Sequence, residues 1–229
     1  MLFGITFPSN GGSARGDNPD PALLGRCLRG DRPALDELFG LSYPVVRRFV
    51  AKILGPGATD LEDVVQSALI EIFRSLKSFR GEARFTSWTY RICLNVAGQH
   101  IRRRSGKPET EAIYDDELAA DEWGEVTSSE KGLLDREALA KAYEIIHALP
   151  ANLRQVFILS EMEEMGAAEI AEVLDCSVQA AWSRLHQARK QFWKKVERSE
   201  YFRRVRPGGE SGAGGEKESA KDGRSEDAQ

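Results

Sequence analysis

The sequence predicts an all-α protein made of two small helical domains. Almost every apolar pattern in its 229 residues repeats at the spacing of three and four that is typical of a helix, and no alternating segment or Asn-Gly turn indicates a strand. The formal net charge is only −4, yet charge is strongly segregated, with two basic segments on either side of an acidic one. We therefore expect two basic domains joined by a flexible acidic linker.

Composition sets the boundaries of these domains. Residues 1–18 and 204–229 are rich in glycine, serine and charged residues and lack apolar periodicity, so we predict disordered tails. Residues 107–131 contain nine acidic side chains, which repel one another and disfavour packing. The predicted domains are therefore residues 19–106 and residues 132–203.

The first domain opens with apolar segments that turn-forming residues interrupt. The stretch PALLGRCLRGDRPALDELFGLSYPVVRRFVAKILG reads as two helices that break near Gly30 and Asp31. Proline lacks the N–H group that a helix interior requires, so a further helix that begins after Tyr43 and Pro44 is an alternative.

The clearest helix covers residues 59–76. Thr59 is followed three residues later by Glu62, a capping box that predicts the start of the helix. The opposite face presents Glu62, Asp63, Gln66 and Glu71, a pattern that on its own indicates ordinary solvated surface. The inward apolar stripe consists of Leu61, Val64, Val65, Ala68, Leu69, Ile72, Phe73 and Leu76.

Cations and aromatic rings are concentrated in FRGEARFTSWTYRI, residues 79–92. Residues 73–104 hold eight cationic side chains and a single acid, Glu82. Gly81 breaks the chain, and Thr86 or Ser87 is expected to cap a helix that runs to about Arg104. On a helical wheel the buried stripe is Tyr90, Cys93, Leu94, Ala97 and Ile101. The opposite sector contains Trp88, Arg91, Asn95, Gln99 and Arg102.

An exposed Trp88 beside guanidinium groups suits single-stranded nucleic acid, because the ring stacks on an unpaired base while cations hold the phosphates. The preceding loop adds Phe79, Arg80, Arg84 and Phe85, and the helix ends in Arg102, Arg103 and Arg104. The alternative is that Trp88 continues with Ile92 and Val96 into a second packing face. The sequence leaves both interpretations open.

The second domain has the outline of a helix-turn-helix. Helices resume near Asp135, break at Pro150 and run from Leu153 to about Met162. They continue as AAEIAEVL, the turn DCS and the basic helix VQAAWSRLHQARKQFWKKV. Two short helices, a tight turn and a longer basic helix are typical of this DNA-binding motif.

The basic helix has an apolar and a polar face. The predicted inward stripe is Val178, Ala181, Leu185, Ala188 and Phe192. Outward glutamine and arginine side chains read adenine and guanine edges in the major groove, while lysines neutralise phosphates. A solvated amphipathic helix would look similar without the preceding short helix and turn. The predicted DNA-reading residues are Ser177, Gln179, Ala180, Ser183, Arg184, Gln187 and Lys190.

Other classes of function lack support in the sequence. No nucleophile, base and acid stand at a recognisable spacing and no glycine-rich phosphate loop occurs, so we expect no enzyme and no cofactor. The cysteines and histidines are too scattered for a metal site or a predicted disulfide. No apolar run reaches the length of a membrane helix and the first residues do not resemble a signal peptide, so we expect a cytoplasmic protein.

Three motifs, in order, resemble those of the bacterial extracytoplasmic-function (ECF) sigma factors of the sigma-70 superfamily. They are DLEDVVQSALIEIF, FRGEARFTSWTYRICLNVAGQHIRRR and the helix-turn-helix that ends in SRLHQARKQF. GDRPALDELFGLSYPVVRRFV is similar to the opening helices of that family. The resemblance covers most of the chain. It implies an alternative sigma factor that binds core RNA polymerase, directs it to specific promoters and helps to melt the minus-ten element.

The resemblance also implies roles for individual residues. The helix-turn-helix residues would bind the minus-thirty-five element, and their domain would touch the β flap of the polymerase. The acidic linker would run toward the active-site channel, and an anti-sigma factor is an expected partner. The clamp helices of the β′ subunit would contact Asp60, Glu62, Asp63, Gln66 and Glu71. The minus-ten element would contact Phe79, Arg80, Arg84, Phe85, Trp88, Arg91, Asn95, Gln99, Arg102, Arg103 and Arg104.

Three positions depart from the family pattern. Asp175 stands in the tight turn where most relatives have glycine, and aspartate adopts the left-handed conformation at modest cost. Ala181 replaces a larger aliphatic residue, and Trp182 replaces a usual lysine or arginine. We expect Trp182 to fill the space that Ala181 leaves, with the loss of a phosphate contact.

Two other classes of protein explain less of the sequence. A stand-alone helix-turn-helix regulator, which acts without polymerase, leaves residues 59–104 without a role. A helical protein–protein adaptor leaves both basic segments unexplained.

Overall fold

A computed structural model describes residues 19–55, 57–105 and 130–205. In these ranges every regular element is a helix and no strand occurs, so the all-α prediction is confirmed. The predicted tails and linker fall almost entirely outside the described residues.

The described helices form two consecutive units. The first unit contains α1 (Pro21–Leu28), α2 (Arg32–Leu54), α3 (Leu61–Ser75), a 3₁₀ turn (Leu76–Ser78) and α4 (Phe85–Ser105). The second unit contains α5 (Glu130–His147), α6 (Ala151–Glu161), α7 (Ala167–Leu174), α8 (Val178–Arg198) and α9 (Glu200–Val205).

The first two helices form as the sequence predicts, with one exception at a proline. The Asp20 side chain accepts a hydrogen bond from the backbone N–H of Ala22 at 2.9 Å and so caps α1. Gly30 has a φ of 83° and forms the turn before α2. Helix α2 continues through Pro44, so the alternative of a further helix is wrong. Pro44 costs the helix one backbone hydrogen bond, and the burial of apolar side chains before and after it offsets this loss. The buried side chains include Leu38, Val46, Phe49 and Val50.

The predicted start of α3 needs a correction. The helix begins at Leu61, and the expected capping box of Thr59 and Glu62 does not form. The Glu62 carboxylate instead accepts a hydrogen bond from Arg47 Nε at 2.8 Å and another from the Tyr43 hydroxyl at 3.3 Å. A charged partner on α2 therefore outcompetes the local backbone N–H group for this carboxylate.

Helix α4 also begins earlier than expected. Gly81, with a φ of 74°, makes the predicted break, but α4 starts at Phe85, so Thr86 and Ser87 lie inside the helix and do not cap it. The backbone N–H of Trp88 already bonds to the Arg84 carbonyl at 3.0 Å. Phe85 is buried, and its burial fixes the first turn of the helix against the core.

The helix-turn-helix of the second unit is confirmed. Helix α7 ends at Leu174, and Asp175 adopts the left-handed conformation with φ 51° and ψ 54°. The Ser177 hydroxyl accepts a hydrogen bond from the backbone N–H of Ala180 at 3.1 Å and caps α8. Aspartate therefore takes the place of glycine in the tight turn, as the sequence predicts.

The two units pack against each other. Helix α7 lies against α4, and α6 approaches α2. Buried apolar side chains of both units belong to one continuous core. The face of α4 that points to the second unit is therefore partly covered by the helix-turn-helix.

Candidate polymerase-binding and nucleic-acid interfaces

Helix α3 carries the face that the sequence assigns to polymerase binding. Glu62, Asp63 and Gln66 are exposed, whereas Glu71 is half-buried. Glu62 is held by its ion pair with Arg47 at 2.8 Å. The structure therefore brings together three of the five predicted residues as one acidic and amide-bearing surface.

An apolar groove between α2 and α3 lies directly beside this surface. Glu62 and Gln66 also line the groove, and its apolar walls are Phe39, Tyr43, Val65, Leu69, Ile70 and Phe73. Phe39 is 46% exposed and Ile70 is 52% exposed. A cluster of exposed large apolar side chains, rimmed by polar ones, is typical of a protein-binding surface. The sequence analysis missed this groove, although Ile70 stands outside the inward stripe of α3 and was a usable signal.

Asp60, the fifth predicted residue, connects α3 to α4. Its carboxylate contacts the His100 ring and lies 3.1 Å from Arg104 Nη1. Burial alone would raise the pKa of Asp60, but the hydrogen bond with His100 and the charge of Arg104 outweigh it and lower the pKa below its ordinary value. The charged Asp60 therefore fixes the start of α3 against the end of α4.

Three aromatic rings organise the loop before α4. The centroids of Phe79 and Phe85 are 5.4 Å apart, and those of Phe79 and Trp88 are 5.3 Å apart. Phe85 and Trp88 are separated by 5.5 Å. Edge-to-face and tilted contacts of this kind stabilise ring clusters beyond simple burial. The cluster therefore positions the loop residues Arg80 and Arg84.

Trp88 combines the two interpretations that the sequence left open. The Trp88 ring is half-buried against the aromatic cluster and keeps an exposed part. It also shares a cleft with Ile92 and Val96, as the packing alternative requires. The cleft is nevertheless partly polar, since Glu71, Ser75, Asn95 and Gln99 line it too. A ring beside polar groups in an open cleft is suited to stack on an unpaired base.

The arginines of the predicted minus-ten set fall into two groups. Arg84 and Arg91 contact α7 and the turn after it. Arg84 Nη1 lies 2.8 Å from Glu169 Oε1, and Arg91 Nη2 lies 3.2 Å from Asp175 Oδ1. Arg91 Nε also donates a hydrogen bond to the Val173 carbonyl at 3.3 Å. The other group consists of Arg80, Arg102, Arg103 and Arg104, which are exposed; Arg104 among them pairs with Asp60.

The outer face of α8 matches the predicted DNA-reading surface. Ser177, Gln179, Ser183, Gln187 and Lys190 are exposed. Ala180 and Arg184 are half-buried. The inward face consists of Ala181, Leu185, Ala188, Phe192 and Val196. This helix therefore presents hydroxyl, amide and cationic groups on one side. Groups of these kinds bind base edges and phosphates in DNA.

Two expectations for α8 are wrong. Val178, placed in the inward stripe, is 46% exposed because it is the first residue of the helix and extends past the inward face. Trp182, expected to fill space beside Ala181, is 55% exposed. Ala181 itself is 1% exposed, so its surroundings are already closed and leave no room for an indole ring. Both apolar side chains therefore belong to the outer surface.

Comparison with known proteins places both units in one family. The model of sigma-70 region 2 matches residues 38–106, and the model of sigma-70 region 4 matches residues 139–192. The ECF RNA polymerase sigma-E factor of Haemophilus influenzae is 32% identical over 187 residues, which cover 78% of this chain and 95% of that protein. The chain belongs to the ECF sigma factors.

Further relatives agree with this assignment. The sigma-E factor of Escherichia coli K12 is 31% identical to this sigma factor over 182 residues, which cover 78% of the chain and 94% of the relative. Two solved structures share the fold. CnrH in complex with the cytosolic domain of CnrY superposes with a TM-score of 0.54, at 22% identity, over 78% of this chain and 97% of that one. RpoE from Bartonella quintana, in complex with the anti-sigma factor NepR, gives a TM-score of 0.55 at 19% identity, over 71% and 96%.

The described helices also bear on membrane association. Among them, none has both the length and the apolar character that a crossing of the bilayer requires.

Proposed function

We infer that this sigma factor binds core RNA polymerase, directs it to specific promoters and helps to melt the minus-ten element. The observation that carries the proposal is the arrangement of region 2, in which one bundle has two different working surfaces. An acidic face with an apolar groove lies on α2 and α3, and a basic surface with an aromatic cluster lies on α4 and the loop before it. A sigma factor needs both surfaces at once, whereas a stand-alone DNA-binding regulator needs only the second.

Each surface has its own role in the proposal. The residues Asp63 and Gln66, together with the groove beside them, dock on the β′ clamp helices. The rim charges orient the contact, and the exposed Phe39 and Ile70 supply apolar area to bury. Glu62 and Glu71 flank the same surface, while Asp60 acts through its contacts with α4.

The surface of α4 is proposed to hold the opened minus-ten strand. Trp88 stacks on an unpaired base, and base–aromatic stacking contributes about 1–3 kcal/mol per base, enough to favour a melted step whose unstacking costs a similar amount. Asn95 and Gln99 lie in the same cleft and offer amide groups to base edges. The arginines from Arg80 to Arg104 hold the phosphates.

The outer face of α8 is proposed to read the minus-thirty-five element in the major groove. Gln179, Ser183 and Gln187 face base edges, and Lys190 contacts a phosphate. The β flap is a further proposed contact of this domain.

The remaining proposals concern partners and surroundings. RpoE and CnrH have each been solved with a protein partner, and an anti-sigma factor is the corresponding proposed partner here. We place the protein in the cytoplasm, where core polymerase and promoter DNA are found. The proposal includes no catalytic step and no cofactor. The proposed domain boundaries remain 19–106 and 132–203, with the linker at 107–131.

A reconstituted run-off transcription assay with bacterial core polymerase tests the proposal. We expect the wild-type protein to start transcripts at defined promoters on a genomic template library. The double substitution Asp63→Lys with Gln66→Lys, which places two cations on the acidic face, should abolish them by loss of docking, and Trp88→Ala should abolish them by loss of melting. Glu144→Lys, at an exposed acid on α5, is the matched control for charge reversal, and Trp88→Phe retains a stacking ring.

The outcomes separate the two classes of function. Transcription that survives both region 2 changes would contradict the assigned roles. Tight binding to duplex DNA without any transcription from core polymerase would replace the sigma function by that of a stand-alone regulator. Circular dichroism of each variant checks that the helical fold is intact.

A further inference from the structure

Two exposed apolar side chains stand at the start of α8, the helix proposed to read the minus-thirty-five element. Val178 is the first residue of the helix and is 46% exposed, and Trp182, four positions later, is 55% exposed. Residues four apart lie on the same face of a helix, one turn above the other. Adjacent large apolar side chains that are exposed indicate a contact surface more strongly than isolated ones do. We call these two residues the α8 strip.

The α8 strip lies outside the packed core. The inward face of α8 is closed by Ala181, which is 1% exposed, and by Leu185, which is 4% exposed. Ser177 caps the helix, because its hydroxyl accepts a hydrogen bond from the Ala180 N–H at 3.1 Å. The cap and the inward face therefore fix the first turns of α8, and the α8 strip is presented to a partner outside the chain.

The α8 strip is continuous with the proposed DNA-reading residues. Gln179 and Ser183 are exposed, and each directly follows one residue of the strip. In a helix-turn-helix, the N-terminal residues of the second helix enter the major groove and contact base edges. The segment from Val178 to Ser183 contains no charged side chain, whereas Lys190 and Lys194 come later on the same helix. The groups closest to base edges are therefore apolar, amide and hydroxyl groups, and the cations are placed for phosphates.

The chemistry of the major groove assigns a partner to the α8 strip. The C5-methyl group of thymine is the apolar group that base pairs expose there, and apolar side chains recognise it by contact. The indole of Trp182 has a single N–H donor and no acceptor, so it cannot form the paired hydrogen bonds by which arginine reads guanine. The face of the indole carries partial negative charge, which favours contact with C–H groups. Thymine is therefore the base that Trp182 and the methyl groups of Val178 fit best.

We propose that Val178 and Trp182 are specificity-determining residues that select thymine in the minus-thirty-five element. Each contacts the C5-methyl group of one thymine, while Gln179 and Ser183 hydrogen bond to base edges in the same groove. A helical rise of about 1.5 Å per residue places the two contacts about 6 Å apart along α8, close to two base steps of about 3.4 Å. The inference deepens, and rests on, the minus-thirty-five role of α8 that is proposed above.

The test replaces thymine by deoxyuridine, which lacks the C5-methyl group and keeps the hydrogen-bonding groups of thymine. The probes are duplex fragments of a promoter that run-off transcription identifies, with one thymine of either strand in the minus-thirty-five region replaced at a time. Core polymerase reconstituted with the full chain binds each probe in competition with the unsubstituted promoter. We expect an affinity loss of about fourfold at each of two thymines, the effect of one methyl-sized group buried on binding. The two thymines should lie about two base pairs apart.

Two substitutions connect each thymine to its side chain. Trp182→Ala should bind the unsubstituted promoter at least about fourfold more weakly than wild type. Deoxyuridine at one of the two positions should then cause no further loss, because the contact is already absent. Val178→Ala should do the same for the other position. The matched control is Leu41→Ala: Leu41 is also 55% exposed but lies on α2, so this variant should retain the full response at both positions.

Each outcome decides the inference. Deoxyuridine losses that disappear in the matching variant support it. Equal binding of thymine and deoxyuridine probes by the wild-type complex overturns it. Losses that persist in both variants overturn it too, because other residues then contact the methyl groups. A defect of Trp182→Ala in binding core polymerase without DNA would assign the ring to a protein contact and overturn its role as a thymine reader.

Run-off transcription by wild type on the unsubstituted promoter tests the proposed function separately. Transcription without any response to deoxyuridine leaves the sigma function in place and removes the inference. Absence of transcripts overturns the proposed function and, with it, the inference.

Discussion

The two working surfaces of region 2 differ in what covers them. The groove between α2 and α3 is open, and Phe39 and Ile70 are exposed in it. The surface of α4 is partly covered, since Arg84 and Arg91 contact α7 and the turn after it. One helical bundle therefore presents its proposed polymerase surface to solvent, while part of its proposed DNA surface faces the other half of the same chain.

This difference affects how easily each surface can be reached. The α2–α3 groove is accessible while the two units are packed together. Arg84 and Arg91 keep 53% and 41% of their side chains exposed, so their ion pairs with the second unit cover them only in part.

The largest effect is expected from a change in the open groove. Ile70→Lys places a charge at the centre of the apolar wall, and we expect it to weaken core polymerase binding by at least about 30-fold, the scale of a central interface residue. The folded state should keep its stability, because Ile70 is 52% exposed. Biolayer interferometry with immobilised core polymerase measures the affinity.

The matched control for this change is Leu28→Lys. Leu28 is also a large exposed apolar residue, but it lies on α1 and does not line the groove. Equal losses for Leu28→Lys and Ile70→Lys would remove the distinction between the groove and the rest of the surface.

The next effect concerns pH and the packed contact between the units. Burial and, to a smaller extent, the nearby Arg154 charge lower the pKa of His147, a hydrogen bond with the Lys52 backbone opposes the shift, and the resulting pKa is about 3. The ring packs against Gly55, where a Cβ would lie 3.0 Å from it, and near the ring of Tyr143. His147 is therefore neutral at the place where α5 meets the end of α2.

The sign of the pH effect follows from the two pKa values. The pKa of His147 in the folded state lies below its ordinary value of 6.5, so the unfolded chain binds the extra proton between these values. The stabilising effect is complete above pH 6.5 and is lost as the pH falls toward 3. We expect about 2 kcal/mol of the free energy of unfolding to disappear between pH 7 and pH 5 from this group.

Urea denaturation at several pH values measures this effect. In His147→Gln, which cannot gain the proton, the free energy of unfolding should vary less over the same range. Parallel pH profiles for the two proteins would show that His147 does not titrate in the way its burial implies.

The smallest effect is expected on the outer face of α8. Trp182→Lys introduces a cation next to the DNA-reading residues without a change in the core, because Trp182 is already 55% exposed. We expect the slope of log K against log salt for duplex promoter DNA to steepen by about 0.9, the effect of one phosphate contact. Stability should change by no more than about 0.5 kcal/mol.

Trp182→Ala separates the two contributions to this result. It removes the ring without the addition of a charge, so its salt slope should equal that of wild type. A steeper slope for Trp182→Ala would assign the change to loss of the ring rather than to the new cation.

Local features of the fold were predictable because they depend on residues that are close together in the sequence. The stripe of α3 repeats at the helical period, and most of it is buried as predicted. Asp175 adopts the left-handed conformation because a tight turn between α7 and α8 requires it. The capping box at Thr59 failed for a non-local reason, since Arg47 on another helix holds Glu62.

Contacts between distant parts of the chain were not predictable in the same way. Lys52 Nζ and Glu163 Oε1 form a buried ion pair between the two units, at 2.7 Å. The two residues are 111 positions apart, and neither belongs to a motif or a periodic stripe that marks it as buried. Trp182 was misplaced because a helical wheel gives the angle of a side chain but not how much room its neighbours leave. The candidate surfaces could be assigned to helices from sequence, whereas their coverage depends on how the two units pack.

The ion pair of Lys52 and Glu163 also has a consequence for how such a protein is expected to evolve. Well-packed apolar residues in place of a buried ion pair are often as stabilising as the pair or more so. An apolar replacement of both residues would therefore keep the two units packed together, with a gain in heat resistance. Selection for thermostability alone should drive these two positions toward apolar side chains.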